Sequence, residues 1–321
     1  MSNLRIVFMG TPDFAVESLK ILLQNNYNIV GVITAPDKPA GRGQQIQLSA
    51  VKKYATENGL NILQPEKLKN ETFLTELKNL KADLQIVVAF RMLPEVVWNM
   101  PRLGSFNLHG SMLPQYRGAA PINWAVINGE IETGVTTFFL QHEIDTGKII
   151  YQEKTPIAEN ETAGNIHDRL MVIGASLVLK TLQAIEKGEP PQIEQSHLAD
   201  IHTEIKHAPK IFKDDCRINW SKSLNEIHNL IRGLSPYPTA FTELVSPEGK
   251  TFSVKLFTAH KEATTDHIIY CKIYTDSKTY LKIGVKCGYI YIDELQMAGK
   301  KRMKTEEFLR GFQINNQWKA L

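Results

Sequence analysis

"LRIVFMGTPDFAVESLKILLQNNYNIVGVITAPD", residues 4–37, sets the architecture. A short continuous apolar run ends in a Gly-Thr-Pro-Asp turn. Apolar residues at helical spacing follow, with Ala15, Leu19, Leu22 and Leu23 able to share a face. Pro12 suits the first helical turn. A second apolar run follows at once. Further on, "LSAVKKYATENGL" (48–60) predicts a helix stopped at Gly59, and "NETFLTELKNLKADLQIVVAF" (70–90) predicts a helix and then a strand. Strands alternating with helices argue for a mostly parallel sheet covered on both faces. With right-handed crossovers this is an α/β, doubly wound, Rossmann-like domain.

The pattern changes after the long helical segment "TAGNIHDRLMVIGASLVLKTLQAIEKGEPP" (162–191). The polar, proline-flanked stretch 190–207 reads as a linker, dividing the chain into domains 1–189 and 208–321. In the second, a short helix in "SLNEIHNLIRGL" precedes the strand-like segments "TFSVKLFTA", "HIIYCKIYT" and "YLKIGVKCGYIYIDELQM". A small OB-like β-barrel fits them.

Composition narrows the class. Of 321 residues, 43% are hydrophobic and 22% charged, as in ordinary globular proteins. No run approaches the ~20 apolar residues of a membrane helix, so no membrane partner is expected. "MSNLRIVFMG" lacks the features of a signal peptide. Cys216, Cys271 and Cys287 are odd in number and far apart, which suits a reducing cytoplasm rather than a disulfide framework. Residues 1–207 carry 19 Lys/Arg against 22 Asp/Glu, whereas residues 208–321 carry 18 against 12. That asymmetry points to an anionic partner for the C-terminal part.

The chemistry concentrates in "SFNLHGSMLPQYRGAAPINWAVINGEIETG", residues 105–134. If "SFNLH" is a strand, Asn107 and His109 project to one face and Phe106 and Leu108 to the other. Ligands of open α/β sheets bind beyond the carboxyl ends of strands, where His109 sits. An imidazole and a carboxamide there can donate to one developing oxyanion, and the loop that follows can close over a bound molecule. Asp145, in "HEIDTGKII", adds a carboxylate able to orient a histidine. These residue types leave acyl transfer, hydrolysis and aldol chemistry open. No G-x-G-x-x-G, Walker A or G-x-S-x-G motif is present, which argues against dehydrogenase, NTPase and α/β-hydrolase functions. No residue set has metal-ligand spacing, so no metal is expected.

"FNLHGSMLPQYRGAAPI" with "ETGVTTFFLQHEIDTGKI" resembles the signature of the folate-dependent formyltransferases. "IVFMGTPDFA", "TAPDKPAGRG", "LQPEKLK" and "INWSKSLNEIHNLIRGLSPYPTAF" extend the resemblance over nearly the whole chain, toward members that act on initiator methionyl-tRNA. The resemblance implies 10-formyltetrahydrofolate as formyl donor and Asn107, His109 and Asp145 as the catalytic residues. It implies Ser111, Met112, Leu113 and Pro114 as a folate-contacting loop, with Phe90 and Met92 of "AFRMLP" at the same pocket. It also implies a basic loop holding Lys38 and Arg42 near the tRNA acceptor end, and a tRNA-holding C-terminal barrel. The basic run "GKKRMK" adds Lys300, Lys301 and Arg302 as candidate phosphate contacts. A monomer is expected. Two alternatives stay open: transfer to a small amine, such as an amino-sugar nucleotide or a purine-pathway ribotide, and a catalytically idle RNA-binding scaffold.

Overall fold

The computed structural model describes residues 4–40, 45–198 and 204–321. The chain divides into two compact units. The first comprises Met1–Gly118, Gly134–Thr155 and His167–His207. The second comprises Ala119–Thr133, Pro156–Ile166 and Ala208–Leu321.

In the first unit, strands β1 (Arg5–Gly10), β2 (Asn28–Ile33), β5 (Ile62–Leu63), β6 (Leu84–Val88), β7 (Ser105–His109), β9 (Glu132–Phe139) and β10 (Ile149–Pro156) form one sheet. Its order is β10-β9-β7-β6-β1-β2-β5. β1 pairs parallel with both β2 and β6, and β6 pairs parallel with β7, while β9 lies antiparallel to β7. The chain builds outward from β1 to β2 and β5, then returns to β6, so the order reverses beside β1. Such a reversal opens a crevice at the carboxyl edge.

Helices α1 (Val16–Gln24), α2 (Ala50–Glu57), α3 (Glu71–Asn79), α4 (Glu95–Trp98) and α6 (Ala163–Glu186) connect and cover the strands. The starts are written locally: the Ser49 and Asn70 side chains cap α2 and α3 by accepting from Lys52 N and Phe73 N. Leu19 and Leu22 of α1 are buried, as the helical spacing requires. On one sheet face, Val7, Met9, Ile33 and Val87 pack with Phe73 and Leu77 of α3. Between β2 and α2, strands β3 (Lys38–Ala40) and β4 (Gln45–Gln47) pair antiparallel as a hairpin. A two-residue strand β8 (Arg117–Gly118) follows the loop after β7, and another, β11 (His207–Ala208), leads into the C-terminal region. The stretch read from sequence as a linker is docked over part of its length: Ile193 exchanges backbone hydrogen bonds with Ile149, and Lys206 O accepts from Tyr116 N.

The second unit carries α5 (Pro121–Ile127), α7 (Leu224–Gly233) and an antiparallel barrel. Its strands are β12 (Ala240–Val245), β13 (Thr251–Ala263), β14 (Ile273–Thr275), β15 (Leu281–Val285), β16 (Gly288–Met297) and β18 (Lys319–Ala320), in the order β14-β15-β16-β13-β12-β18. The ring closes where Ile273 N donates to Trp318 O and Ala320 N to Cys271 O. The register of β13 slips on either side of Thr258, the kind of irregularity that bends a strand around a barrel. β17 (Met303–Lys304) and α8 (Thr305–Gly311) complete the unit beside β16. The segment "HIIYCKIYT" supplies only a three-residue strand, because Cys271 takes a left-handed backbone that interrupts extension before it. Among the described residues no helix is long and apolar enough to cross a membrane.

α7 begins with a reciprocal capping box between Ser223 and Glu226 and buries His228, which is 1% exposed. Its Nε2 donates to Ala259 O, while Nδ1 lacks a partner among the described residues. Burial, helped by Arg232 and Lys261, pushes its pKa down to about 4. Unfolded histidine titrates near ~6.5. Between those values the unfolded chain binds the extra proton, so stability falls with pH from about 6.5 to about 4, by up to roughly 3 kcal/mol. Urea titrations across this range should show that slope in the wild type and a flatter one in His228→Gln. An identical slope in both would contradict neutral burial.

Candidate active site

The site is built on the end of β7. Register sets Asn107 beside Val87 and Phe138, and His109 beside Thr136. Leu108 faces α6: a Cβ on Gly174 would lie 2.7 Å from its Cδ2. Strand alternation then turns Asn107 and His109 to the opposite face. Asn107 is half-buried and makes no side-chain hydrogen bond among the described residues, so its carboxamide is open to a ligand.

His109 is 6% exposed, and its ring is fixed by a backbone group. Nε2 lies 2.8 Å from Tyr116 O. A carbonyl oxygen only accepts, so Nε2 carries the hydrogen, and in the neutral ring Nδ1 is bare. Nδ1 faces Asp145 Oδ2 across 3.9 Å. The same oxygen accepts the Gly118 N–H at 2.9 Å. Asp145 stands in the left-handed region at φ 55°, where a short polar side chain is tolerated. Phe138 meets the imidazole edge-on, at 6.5 Å between ring centres. Asp145 is thus a neighbour waiting for a charge: it gains an ion pair with His109 once Nδ1 takes a proton.

The loop after β7 is held by groups that carried no motif. Thr136 Oγ1 accepts from Leu113 N at 3.1 Å and donates to Ser111 O at 2.7 Å. Gln152 Nε2 donates to Leu113 O at 2.8 Å, and Ser111 Oγ to Gln115 O at 2.6 Å. Ser111, Leu113 and Pro114 are buried, Leu113 against Phe138 and Ile149 of the sheet, and Met112 alone of the four is half-exposed. The only trace of this support in the sequence is a pair of threonines, Thr136 and Thr137, inside an apolar strand.

After β6, Phe90 packs against the core around Val97, while Met92 is 73% exposed. Arg91 Nη1 donates to Glu66 O at 2.8 Å and Nη2 donates to Pro65 O, which ties the turn after β6 to the segment after β5. The pair of His142 Nδ1 and Glu95 Oε2, at 3.4 Å, links the turn before Asp145 to α4. Exposed Met92 lies in the turn after β6, Val96 in α4 and Ile144 in the turn before Asp145, and Glu143 is exposed. A groove of about 690 Å³ lies elsewhere, along residues such as Gln64, Pro65 and Phe73, and none of Asn107, His109 and Asp145 lines it.

The basic candidates are spread out. Lys38 is exposed at the start of β3, and Arg42 lies outside the described residues. Just before Lys38, hydrogen bonds from Lys52 and Gln64 hold the Asp37 carboxyl below the usual range. Lys300 is exposed, Lys301 pairs with Glu307 at 3.1 Å, and Arg302 pairs with Glu294 while stacking over Phe257. Among the described residues no group of three His, Cys, Asp or Glu could hold a metal ion.

Residues 4–182 match the family described as formyl transferase, and residues 210–313 match its C-terminal domain. The chain belongs to the formyl transferase family. It is 57% identical over 317 residues to a methionyl-tRNA formyltransferase of Bacteroides thetaiotaomicron, covering 99% of this chain and 98% of the relative. The methionyl-tRNA formyltransferase of Flavobacterium johnsoniae is 52% identical over 320 residues, covering 100% of both. Among solved structures, a sugar 3N-formyl transferase crystallised with dTDP and 5-N-formyl-THF superposes with TM-score 0.64 at 24% identity, over 93% of this chain and 99% of that one. A Helicobacter canadensis N-formyltransferase in complex with folinic acid and dTDP-3-aminofucose gives 0.61 at 23%, over 94% of this chain and 100% of that one. At these identities the likeness is one of fold.

Gly147 is the tightest point of the Asp145 turn, because a Cβ there would stand 1.7 Å from Phe139 O. Gly147→Ala should destabilise the protein by roughly 1–3 kcal/mol as the turn is forced away from β9. Denaturant unfolding checks this, and a midpoint equal to wild type would show that the turn yields freely.

Proposed function

We propose that this chain transfers the formyl group of 10-formyltetrahydrofolate to the α-amino group of initiator methionyl-tRNA. The observation that carries the reading is the 57% identity to a methionyl-tRNA formyltransferase across both units. The geometry supports it with a half-buried, uncommitted carboxamide on the same strand face as a buried imidazole that neighbours a partly buried carboxylate, at the carboxyl edge of the sheet.

The donor supplies the one-carbon group. Asn107 donates its amide N–H to the formyl oxygen as that oxygen gains negative charge. His109 acts at Nδ1, since its Nε2–H is committed to Tyr116 O: it takes the proton lost by the attacking amine and returns it to the departing nitrogen. Asp145 stabilises the imidazolium between those two events. This reassigns His109 from the oxyanion donor expected from the sequence to a proton carrier. Met92, Val96 and Ile144 offer exposed apolar surface on the turn after β6, on α4 and on the turn before Asp145, which suits a flat ring system. The side chains of Ser111, Leu113 and Pro114 contribute by shaping the loop, and Phe90 by anchoring the turn after β6 on the core around Val97.

For the tRNA, we propose contacts from Lys38 and Arg42 near the acceptor end and from the barrel of residues 208–321, where Lys300, unlike Lys301 and Arg302, has no ion pair among the described residues. Lys301 and Arg302 would have to leave their carboxylates to reach phosphate. The basic balance of residues 208–321 supports this role. We propose a monomer acting in the cytoplasm, where its free cysteines remain reduced.

The direct test incubates the protein with 10-formyltetrahydrofolate and methionyl-tRNA and reads formylmethionine after deacylation, with a dTDP-amino sugar as competing acceptor. Formylation of the sugar alone would favour the small-amine alternative. Asp145→Asn keeps an acceptor for Gly118 N–H and removes the charge. It should fold normally and lose transfer rate by roughly 10²–10⁴-fold. Near wild-type turnover would reduce Asp145 to a turn residue.

A further inference from the structure

Gln195 lies in a stretch whose composition is that of a linker, yet it is 4% exposed and its amide is used at both ends. Nε2 donates to Asp145 O and to Gly147 O, each at 2.9 Å. Oε1 accepts from Arg117 Nε at 3.1 Å and Nη2 at 2.6 Å. A primary amide offers two N–H groups and one oxygen with two lone pairs, so this side chain is saturated. Its backbone is also set: Gln195 opens a short 3-10 helix two residues after Ile193, which is bridged to Ile149 of β10.

The two segments joined by this amide are those that define the reactive pair. Arg117 stands between Tyr116, whose carbonyl holds His109 Nε2, and Gly118, whose N–H holds Asp145 Oδ2. On the other side are Asp145 itself, in its left-handed conformation, and Gly147, the tight point of the turn. The 3.9 Å between His109, at the end of β7, and Asp145 therefore depends on two segments that hold the pair, and Gln195 is a side chain that spans them.

We propose that Gln195 is a positioning residue for formyl transfer. It acts through Asp145, fixing the carboxylate's distance from His109 Nδ1 without touching substrate. The proposal rests on the reading of His109 and Asp145 as the proton-handling pair. The residue type matters as much as its size. Glutamate keeps acceptors for Arg117 but sets a carboxylate oxygen against the carbonyls of Asp145 and Gly147. It therefore holds one half of the clamp and releases the other.

The experiment is a double-mutant cycle read by single-turnover formyl transfer, with KM for 10-formyltetrahydrofolate measured alongside. Gln195→Glu, Asp145→Asn and the combined variant are compared with wild type, and folding is checked by circular dichroism and 5-formyltetrahydrofolate titration. We expect Gln195→Glu to lower the transfer rate at least 10-fold with KM within twofold. In the Asp145→Asn background, the same change should cost less than twofold, because its route to the chemistry is already cut. Equal losses in both backgrounds, a rate within twofold of wild type, or a loss that sits in KM would overturn the proposal. If Gln195→Glu does not fold, Arg117→Gln, which frees the opposite end of the clamp, must give the same pattern or the proposal fails. Wild-type protein inactive with both methionyl-tRNA and the amino sugar would overturn the functional reading itself, a result distinct from any of these.

Discussion

The hydrogen bond from His109 Nε2 to the Tyr116 carbonyl, 2.8 Å long, is the constraint on which the rest of the site depends. It settles which nitrogen holds the proton and which is free, and it does so with a backbone oxygen that cannot change its own protonation state. The bare nitrogen is thereby aimed at Asp145. The strand supplies the ring, the loop supplies the tautomer, and a separate turn supplies the counter-charge. Each of these must be held against the others for the pair to function.

That requirement explains features otherwise without purpose. Tyr116 takes a left-handed backbone at φ 61°, and its N–H is engaged by Lys206 O, so the carbonyl on which His109 depends is itself held. Thr136, opposite His109 in the sheet register, ties down the first half of the same loop through Ser111 and Leu113. Gly147 lets the Asp145 turn pack directly on the Phe139 carbonyl. The loop after β7 is long because it performs two tasks. It returns to cap the histidine, and it presents Gly118 N–H to the aspartate.

Much of this could be read before any coordinates. Alternating apolar runs and helical periods gave the doubly wound sheet because a fully buried parallel strand has few other sequence patterns available. Asn107 and His109 were legible because a period of two places them together, and Asp145 because Asp-Thr-Gly marks a turn. Gln195 was not legible: its role depends on three partners distant in sequence, and its polar surroundings read as a connection. The tautomer of His109 was equally hidden, since a backbone carbonyl has no letter of its own. In "GKKRMK", counting lysines and arginines does not reveal that Glu307 and Glu294 engage Lys301 and Arg302.

The account turns on the protonation pattern of one ring, and that pattern can be observed. Long-range ¹⁵N–¹H correlation spectra of ¹⁵N-histidine-labelled protein, with His109→Gln used to assign the signals, report each ring nitrogen separately. A neutral His109 ring should carry its hydrogen on Nε2, donated to Tyr116 O, and leave Nδ1 bare. A neutral ring with its hydrogen on Nδ1, donated toward Asp145, would contradict this pattern, because the Tyr116 carbonyl would then not hold Nε2 and His109 would have no bare nitrogen facing the carboxylate.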